Sequence, residues 1–411
     1  MFFLYGYGGT GKTHIWLTLT YALRSQKHIV LTVASSGITS LLLLGGRIAN
    51  SKFKIPVPTF DNSVCNIHQE TELTELLKQT KLIIWDEAPM AHNFCFKALD
   101  KSFCDIMGTT YGSILFGGKV VVFGGDFRQI LLVVLRGCRL DIVHATINAS
   151  YLWHQCTVLT LTKNMRLQNH DNESDIKQFS EWIQKMGNGK LSEPNDGSTE
   201  IDIPKELLIL DYDNPIDVIV CSTYRNLQQH YKNEQFLQFD MSDANDNEAC
   251  NILTPEFLNS LSTLGLPNHK IKLKVSTPIM LLRNLDQSEG LCNGTRLVIT
   301  KMANHVLEAK IMSGKNIRNI TYIPILSMSP SQSPWPFMLI RRQFPLIVSY
   351  AVTINKSQGQ SLESVGLYLS RPISSHGQLG SLKRVKSVSV ARAQRYLLYG
   401  DDGSVAGSKS A

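Results

Sequence analysis

Near its start the chain reads Gly6-Tyr7-Gly8-Gly9-Thr10-Gly11-Lys12-Thr13, directly behind the apolar run Phe2-Phe3-Leu4-Tyr5 and directly ahead of a stretch, Lys12 to Arg24, with helical spacing. This fits G-x-x-x-x-G-K-[ST] between a strand and a helix. Glycines at this density let the backbone curl until successive N–H groups converge on one point, and the following helix adds the positive end of its dipole. Such a loop cradles phosphate. In this reading Gly6, Gly8, Gly9, Thr10 and Gly11 wrap the phosphates of ATP, Lys12 reaches the β- and γ-phosphates, and the Thr13 hydroxyl ligates Mg2+. A glycine-rich turn can arise by chance, but not often between a buried strand and a helix.

The rest of the chain repeats the alternation. Ile29 to Val33, Leu82 to Trp85 and Lys119 to Phe123 read as further strands separated by helical patterns, which is the α/β signature. Each ends in small or acidic residues, and open parallel sheets bind ligands at those carboxyl ends. About 73 residues beyond the loop, Ile83-Ile84-Trp85 delivers Asp86-Glu87. Asp86 is read as the Mg2+ carboxylate and Glu87 as the base that polarises an attacking water. A strand-end acidic pair alone is usually a solvated turn; the preceding loop tips the reading towards catalysis, and a water-activating base favours hydrolysis over kinase chemistry. The third strand end is Phe123-Gly124-Gly125-Asp126-Phe127-Arg128-Gln129, where Gln129 is placed to sense the γ-phosphate.

Other features bound the reading. The longest apolar runs, such as Ile130 to Leu135, fall far short of the roughly 18 residues needed to span a membrane. The eight cysteines (Cys65, Cys95, Cys104, Cys138, Cys156, Cys221, Cys250, Cys292) contain no CxxC pair, which points to reduced, intracellular thiols and away from zinc. His68, His92 and His376 have no second ligand at metal spacing and read as structural. The net charge is +7, and it is concentrated between Arg341 and Gly400, where nine Lys or Arg face the single acid Glu363. A basic run of this kind suits a phosphate-backbone partner, although a solvated tail has the same composition. Asn169 to Pro204 is polar and reads as a domain boundary, Asp240 to Glu248 as an acidic loop, and residues 271 to 299 as short strands around turns.

The three clusters, with Ala34-Ser35-Ser36-Gly37-Ile38, Leu161-Thr162-Lys163-Asn164-Met165-Arg166-Leu167, Met280-Leu281-Leu282-Arg283-Asn284, Gly290-Leu291-Cys292-Asn293-Gly294-Thr295 and Thr353-Ile354-Asn355-Lys356-Ser357-Gln358-Gly359-Gln360-Ser361-Leu362, occur in one order over residues 1 to 387. In this they resemble the Pif-type (petite integration frequency) DNA helicases, superfamily-one, RecD-like 5′-to-3′ motors, and above all the large plant set that includes helicases of rolling-circle transposons. The resemblance implies two RecA-like P-loop domains with parallel sheets and a small SH3-like β-barrel insert in the second. The expected boundaries are 1–168 for the first domain, 169–254 for a linker and the start of the second, 255–300 for the barrel, 301–390 for the remainder, and 391–411 for a disordered tail. It also implies ATP and Mg2+ as cofactors, single-stranded and tailed duplex DNA as partners, no membrane, a monomer, and a nuclear location. Roles in repair, recombination, telomere maintenance or transposition come with it.

By the same resemblance Arg166 and Arg384 are arginine fingers, Ser35, Ser36, Thr353, Lys356 and Ser357 touch DNA phosphates, and Gln358 and Gly359 couple the DNA groove to the nucleotide. The chain departs from the family at four places. An adenine-recognising segment ahead of the loop is not present, a Pro-Thr-Asn-containing segment between Gln238 and Asp243 is missing, Ile130-Leu131-Leu132 replaces Ile-Leu-Pro, and the last motif is shortened at Gly380-Ser381-Leu382-Lys383-Arg384. These departures resemble those of a truncated or imperfectly spliced copy, and set an impaired, nucleic-acid-binding remnant beside the working motor as the alternative expectation.

Overall fold

The computed structural model describes residues 1–165 except 113, 130, 133, 135 and 136. It also describes 266–351 except 313–315, 331–336 and 338, together with residues 181, 182, 185, 260 and 261 and the backbone of several further strands. The chain divides into two compact units, Met1–His230 with Ile354–Ala411, and Tyr231–Thr353.

The first unit is built on a six-stranded sheet. In chain order its elements are β1 (Phe2–Gly6), α1 (Lys12–Ser25), β2 (Ile29–Ala34), α2 (Gly37–Ser40), β3 (Arg47–Ile48), α3 (Ala49–Lys52) and α4 (Glu72–Gln79). There follow β4 (Thr80–Asp86), α5 (Asn93–Met107), β5 (Val120–Gly125), α6 (Arg139–Ala145) and β6 (Thr157–Leu161). The strand order is β3-β2-β4-β5-β1-β6, and every pairing is parallel. The inner strands of such a sheet are covered on both faces and so are apolar rather than alternating, while the edge strand β6 leaves Val158 and Leu159 exposed. Side chains nevertheless part by pleat. Phe3, Ile83, Trp85, Val121 and Phe123 enter one core with Phe96, Leu99 and Phe103 of α5, while Leu4, Leu82 and Ile84 enter the other with Trp16 of α1. Because all six strands run the same way, the chain leaves β1, β2, β4, β5 and β6 along one edge of the sheet. The strands expected at Ile29, Leu82 and Lys119 are found, with ends that differ from expectation by one or two residues.

Helix α5 starts at His92, whose Nδ1 accepts the Phe94 N–H at 3.2 Å, and stops at Gly108 in the left-handed region. Behind it, the fully buried Asp100 accepts hydrogen bonds from the Phe116 N–H and the Tyr151 hydroxyl, both at 2.5 Å. That anchors the turn ahead of β5, in which Phe116, Gly117 and Gly118 all have positive φ. Further backbone in this unit is β7 (Ser198–Asp202) and β8 (Leu208–Ile209).

The second unit contains β9 (Leu237–Phe239), β10 (Ile271–Leu273), β11 (Pro278–Leu281), β12 (Arg296–Met302), β13 (Val306–Ile311), β14 (Ile320–Pro324), β15 (Leu326–Met328), β16 (Arg341–Gln343) and β17 (Leu346–Val348). Five of them form an antiparallel sheet in the order β14-β13-β12-β11-β17. Alternating residues of β12, β13 and β14 (Leu297, Ile299, Leu307, Ala309, Ile311, Ile323) make its core, as a one-sided antiparallel sheet requires. Of the strands read at 271–299, β11 and β12 share this sheet with strands as far as Val348, while β10 pairs with β9 in a separate two-stranded ribbon. Chain order then returns to the first unit with β18 (Leu362–Tyr368), β19 (Val385–Ala391) and β20 (Arg395–Tyr399). Residues 240–248 and most of 169–204 lie outside the described residues. Among those described, no helix is long and apolar enough to cross a membrane.

Candidate functional site

The glycine-rich loop joins the end of β1 to the start of α1. Gly9 and Gly11 have φ of 94° and 89°, a region that side chains rarely adopt. A Cβ at Gly9 would also lie 2.3 Å from Asn164 Oδ1. Thr10 closes the turn, its hydroxyl donating to the Tyr7 carbonyl at 2.8 Å. Lys12 spans the loop and donates from Nζ to the Gly6 carbonyl. The first turn of α1 carries no acid, so nothing there competes for the helix's positive end. Thr13, on the same turn, is half-buried.

Strand β4 ends on the same sheet edge, with β5 between it and β1. Asp86 is 4% exposed and Glu87 6%, and Asp86 Oδ1 is buried with no hydrogen-bond partner among the described residues. An ionised oxygen left so is costly unless a cation completes it. Glu87 has φ 53°, ψ 42°, a left-handed conformation that costs a non-glycine residue about 1–2 kcal/mol. It breaks the strand direction there, before the turn Ala88–Met90.

The end of β5 is shaped by its neighbours. A Cβ at Gly124 would sit 2.3 Å from Trp16 Cζ2 and 3.1 Å from Asp86 Oδ1, and one at Gly125 would sit 2.3 Å from Pro89 Cδ. The glycine pair thus makes room for the ring of α1, the carboxylate of β4 and the turn behind Glu87. Asp126, 1% exposed, folds the next loop. Its Oδ1 accepts the Arg128 N–H at 3.0 Å and its Oδ2 accepts Gln129 Nε2 at 3.2 Å. Phe127 stacks on Phe3 at 5.3 Å. The Arg128 guanidinium lies 5.5 Å from the Tyr5 ring and 6.0 Å from that of Tyr7. Burial, and after it the Asp126 charge, raises the Tyr5 hydroxyl above its ordinary pKa.

The chain leaving β6 packs on the glycine-rich loop from the other side. The Tyr7 hydroxyl donates to the Thr162 carbonyl at 2.6 Å, and the Met165 N–H donates to the Gly9 carbonyl at 2.9 Å. Sequence reasoning gave no role to Tyr7, Asn164 or Arg128. For Asn164 and Met165 the only signal was their place just ahead of Arg166.

The structure thus gathers Gly6 to Thr13, Asp86, Glu87 and Gln129 along one sheet edge. Ser35 and Ser36 stand on that edge too, but with internal partners. Ser35 Oγ accepts the indole N–H of Trp85 at 2.9 Å, and Ser36 Oγ caps α2 by accepting the Thr39 N–H at 3.2 Å. Arg166, Thr353, Lys356, Ser357, Gln358, Gly359 and Arg384 lie outside the described residues.

Two family models match the chain: "PIF1-like helicase" over residues 1–197 and "DNA helicase Pif1, 2B domain" over residues 256–302. The chain belongs to the PIF1-like helicase family. It is 24% identical over 406 residues to the ATP-dependent DNA helicase PIF1 of Xenopus laevis, covering 96% of this chain and 59% of that protein. The Campylobacter jejuni Pif1 helicase is 25% identical over 385 residues, covering 88% of this chain and 81% of that protein. Against the frog and Danio rerio relatives the chain spans 59% and 58% of their length. Among solved structures, a Bacteroides Pif1 bound to ssDNA superposes with a TM-score of 0.63 at 20% identity, covering 95% of this chain and 88% of that one. Pif1 from Candida albicans gives 0.58 at 19% identity, covering 95% and 91%. At these identities the likeness establishes the fold, and the parallel α/β sheet of the first unit is that of a RecA-like helicase domain.

Proposed function

We propose that this chain is the motor of an ATP-dependent DNA helicase that couples Mg-ATP hydrolysis to 5′-to-3′ movement along single-stranded DNA and opens tailed duplexes. The observation that carries the reading is the buried Asp86 carboxylate, one oxygen without a partner among the described residues, at a strand end on the same sheet edge as a phosphate-cradling loop. Magnesium needs no all-protein cage: it is usually held by one or two carboxylates, phosphate oxygens and water. Thr13 and Asp86 suit that donor set, and the metal would neutralise charge on the β- and γ-phosphates.

The remaining roles belong to the chain's own groups. The glycine-rich loop and Lys12 bind and orient the phosphates. Glu87, turned by its left-handed backbone, takes a proton from the attacking water. Gln129, tethered by Asp126, faces the γ-phosphate. Arg166 and Arg384 serve as arginine fingers and Gly359 as a nucleotide contact. Ser35, Ser36, Thr353, Lys356 and Ser357 meet the DNA backbone, and Gln358 links the two sites. Family membership and the PIF1 names of the relatives support the DNA substrate; the direction of movement and a second RecA-like domain with an SH3-like insert rest on the motif resemblance. The deciding experiment measures ATP turnover with and without Mg2+ and oligothymidylate, then unwinding of a 5′-tailed duplex. Metal-dependent turnover that rises with single strands is expected. Turnover indifferent to DNA would overturn the reading.

A further inference from the structure

The loop that follows β2 is tied to the strand that carries Asp86 by two hydrogen bonds. In the β2–β4 register Val33 faces Trp85 and Ala34 faces Asp86, which puts Ser35 just past the last pair. There the Ser35 N–H donates to the Asp86 carbonyl at 3.2 Å, and the Trp85 indole Nε1–H donates to Ser35 Oγ at 2.9 Å. Trp85 is fully buried. Its ring is held between Phe53, Phe96 and Phe123, with centroids 6.1, 4.8 and 6.0 Å away. An indole held on three sides cannot swing without repacking the core, so its N–H direction is fixed by the aromatic cluster. Leaving that buried donor unpaired would be costly, which holds the serine hydroxyl in one orientation.

The bond also sets what Ser35 offers outward. With its oxygen accepting from the indole, the serine keeps its hydrogen to donate to a second partner, and an O–H whose oxygen accepts a bond donates more strongly. A phosphodiester oxygen is the acceptor chemistry that such a donor suits.

We propose that Trp85 is a positioning residue through which the Asp86 strand end and the Ser35 loop move together, so that nucleotide at one sets DNA-backbone contact at the other. The inference rests on the motor reading above. A displacement of the Asp86–Glu87 strand end on nucleotide binding is carried to Ser35 by the backbone bond and by the rigid indole, without any intervening flexible side chain.

The test uses the full chain, Trp85→Phe, Ser35→Ala and the double variant. Phenylalanine keeps a ring in the aromatic cluster and removes only the donor and part of the ring. Turnover is measured against ATP and against oligothymidylate, and amide hydrogen exchange is followed at residues 35–40 with a non-hydrolysable ATP analogue. In the unmodified chain the analogue should slow exchange of the Ser35 N–H. In Trp85→Phe that response should shrink and the KM for oligothymidylate should rise roughly five-fold, about the worth of one net hydrogen bond, with the KM for ATP within about two-fold of its original value. In the Ser35→Ala background, Trp85→Phe should add nothing. Equal losses with and without DNA, or additive effects in the double variant, would make Trp85 a core residue only and overturn the proposal. So would an unmodified chain that binds the analogue with no response at residues 35–40, a result that needs no variant to fold. Turnover indifferent to oligothymidylate in the unmodified chain would instead sink the motor reading, while the exchange response still decides whether strand end and loop are coupled.

Discussion

Gly124→Ala should destabilise the first unit although nothing in the local backbone demands glycine there, since Gly124 is not among the positive-φ residues. At such a position replacing glycine by alanine ordinarily stabilises, by about 0.4–1 kcal/mol, because the unfolded chain has less freedom to lose. Here the added carbon would lie 2.3 Å from Trp16 Cζ2, against the roughly 3.5–4.0 Å of a normal carbon contact. The ring or the strand must therefore retreat by about 1.2 Å or more to reach that contact. Trp16 is 1% exposed and packed among Leu4, Val30, Leu82 and Ile84, so the ring has no free space to take. Overpacking of this kind costs about 1–3 kcal/mol, which leaves a net loss of about 1–2 kcal/mol. Urea unfolding followed by far-ultraviolet circular dichroism measures it. A partner variant sharpens the test. Trp16 Nε1 is buried without a hydrogen-bond partner among the described residues, so Trp16→Phe trades lost contact area against relief of an unpaired donor. Combined with Gly124→Ala it should recover most of the loss, giving a coupling of about 1–2 kcal/mol. Gly124→Ala at or above the original stability, or strictly additive losses in the pair, would refute the packing argument.

Lys12→Ala should weaken nucleotide binding and abolish turnover, whereas Glu87→Gln should keep binding and cut turnover by about 10²–10⁴; undiminished turnover in the second would remove Glu87 as the base. Asp100→Ala strands two donors inside the core, the Phe116 N–H and the Tyr151 hydroxyl. It should cost about 3 kcal/mol or more in a thermal or urea melt, and Tyr151→Phe about half of that. Burial, and after it the Lys97 ammonium, holds the His92 imidazole below its ordinary value of 6.5. The unfolded state therefore takes up its proton first as pH falls, so the His92 contribution is present above about pH 6.5 and is lost below it. Protonation also removes the Nδ1 acceptor that caps α5, a loss of about 1 kcal/mol. Melts at pH 7.5 and 5 should show a drop that His92→Asn reduces, and identical pH dependence in both chains would count against it.

The elements that presented themselves in the sequence are those written in short windows. A glycine-rich turn between a strand and a helix, apolar runs ending in Asp86 or Asp126, and the short strands within 271–299 each declare themselves locally, whereas β13 and β14 did not. What stayed hidden is written between distant windows. Asn164 and Met165 press on Gly9 from the far end of the unit, Gly124 is glycine because of Trp16, and Gly125 because of Pro89. None of these pairs leaves a periodic trace. The same limit applies to Ser35 and Ser36. Their hydroxyls look free for a ligand in the sequence, and only the fold reveals Trp85 and Thr39 as their partners.

The place of β1 in the sheet has a consequence for synthesis. This strand is made well before its two neighbours, β5 and β6, and Gly9 meets Met165 only after β6 is complete. At ribosomal rates of about 5–20 residues per second, the interval between making Gly6 and Leu161 is on the order of ten to thirty seconds. Until β5 is made Phe3 and Leu4 have no neighbouring strand to join, and until β6 is made one edge of β1 still offers unpaired backbone groups to any other strand nearby. The nucleotide loop therefore leaves the ribosome long before it can acquire its shape. A nascent chain halted before Thr157 should be bound by chaperones that hold apolar strands, and should gain resistance to protease only when β6 emerges.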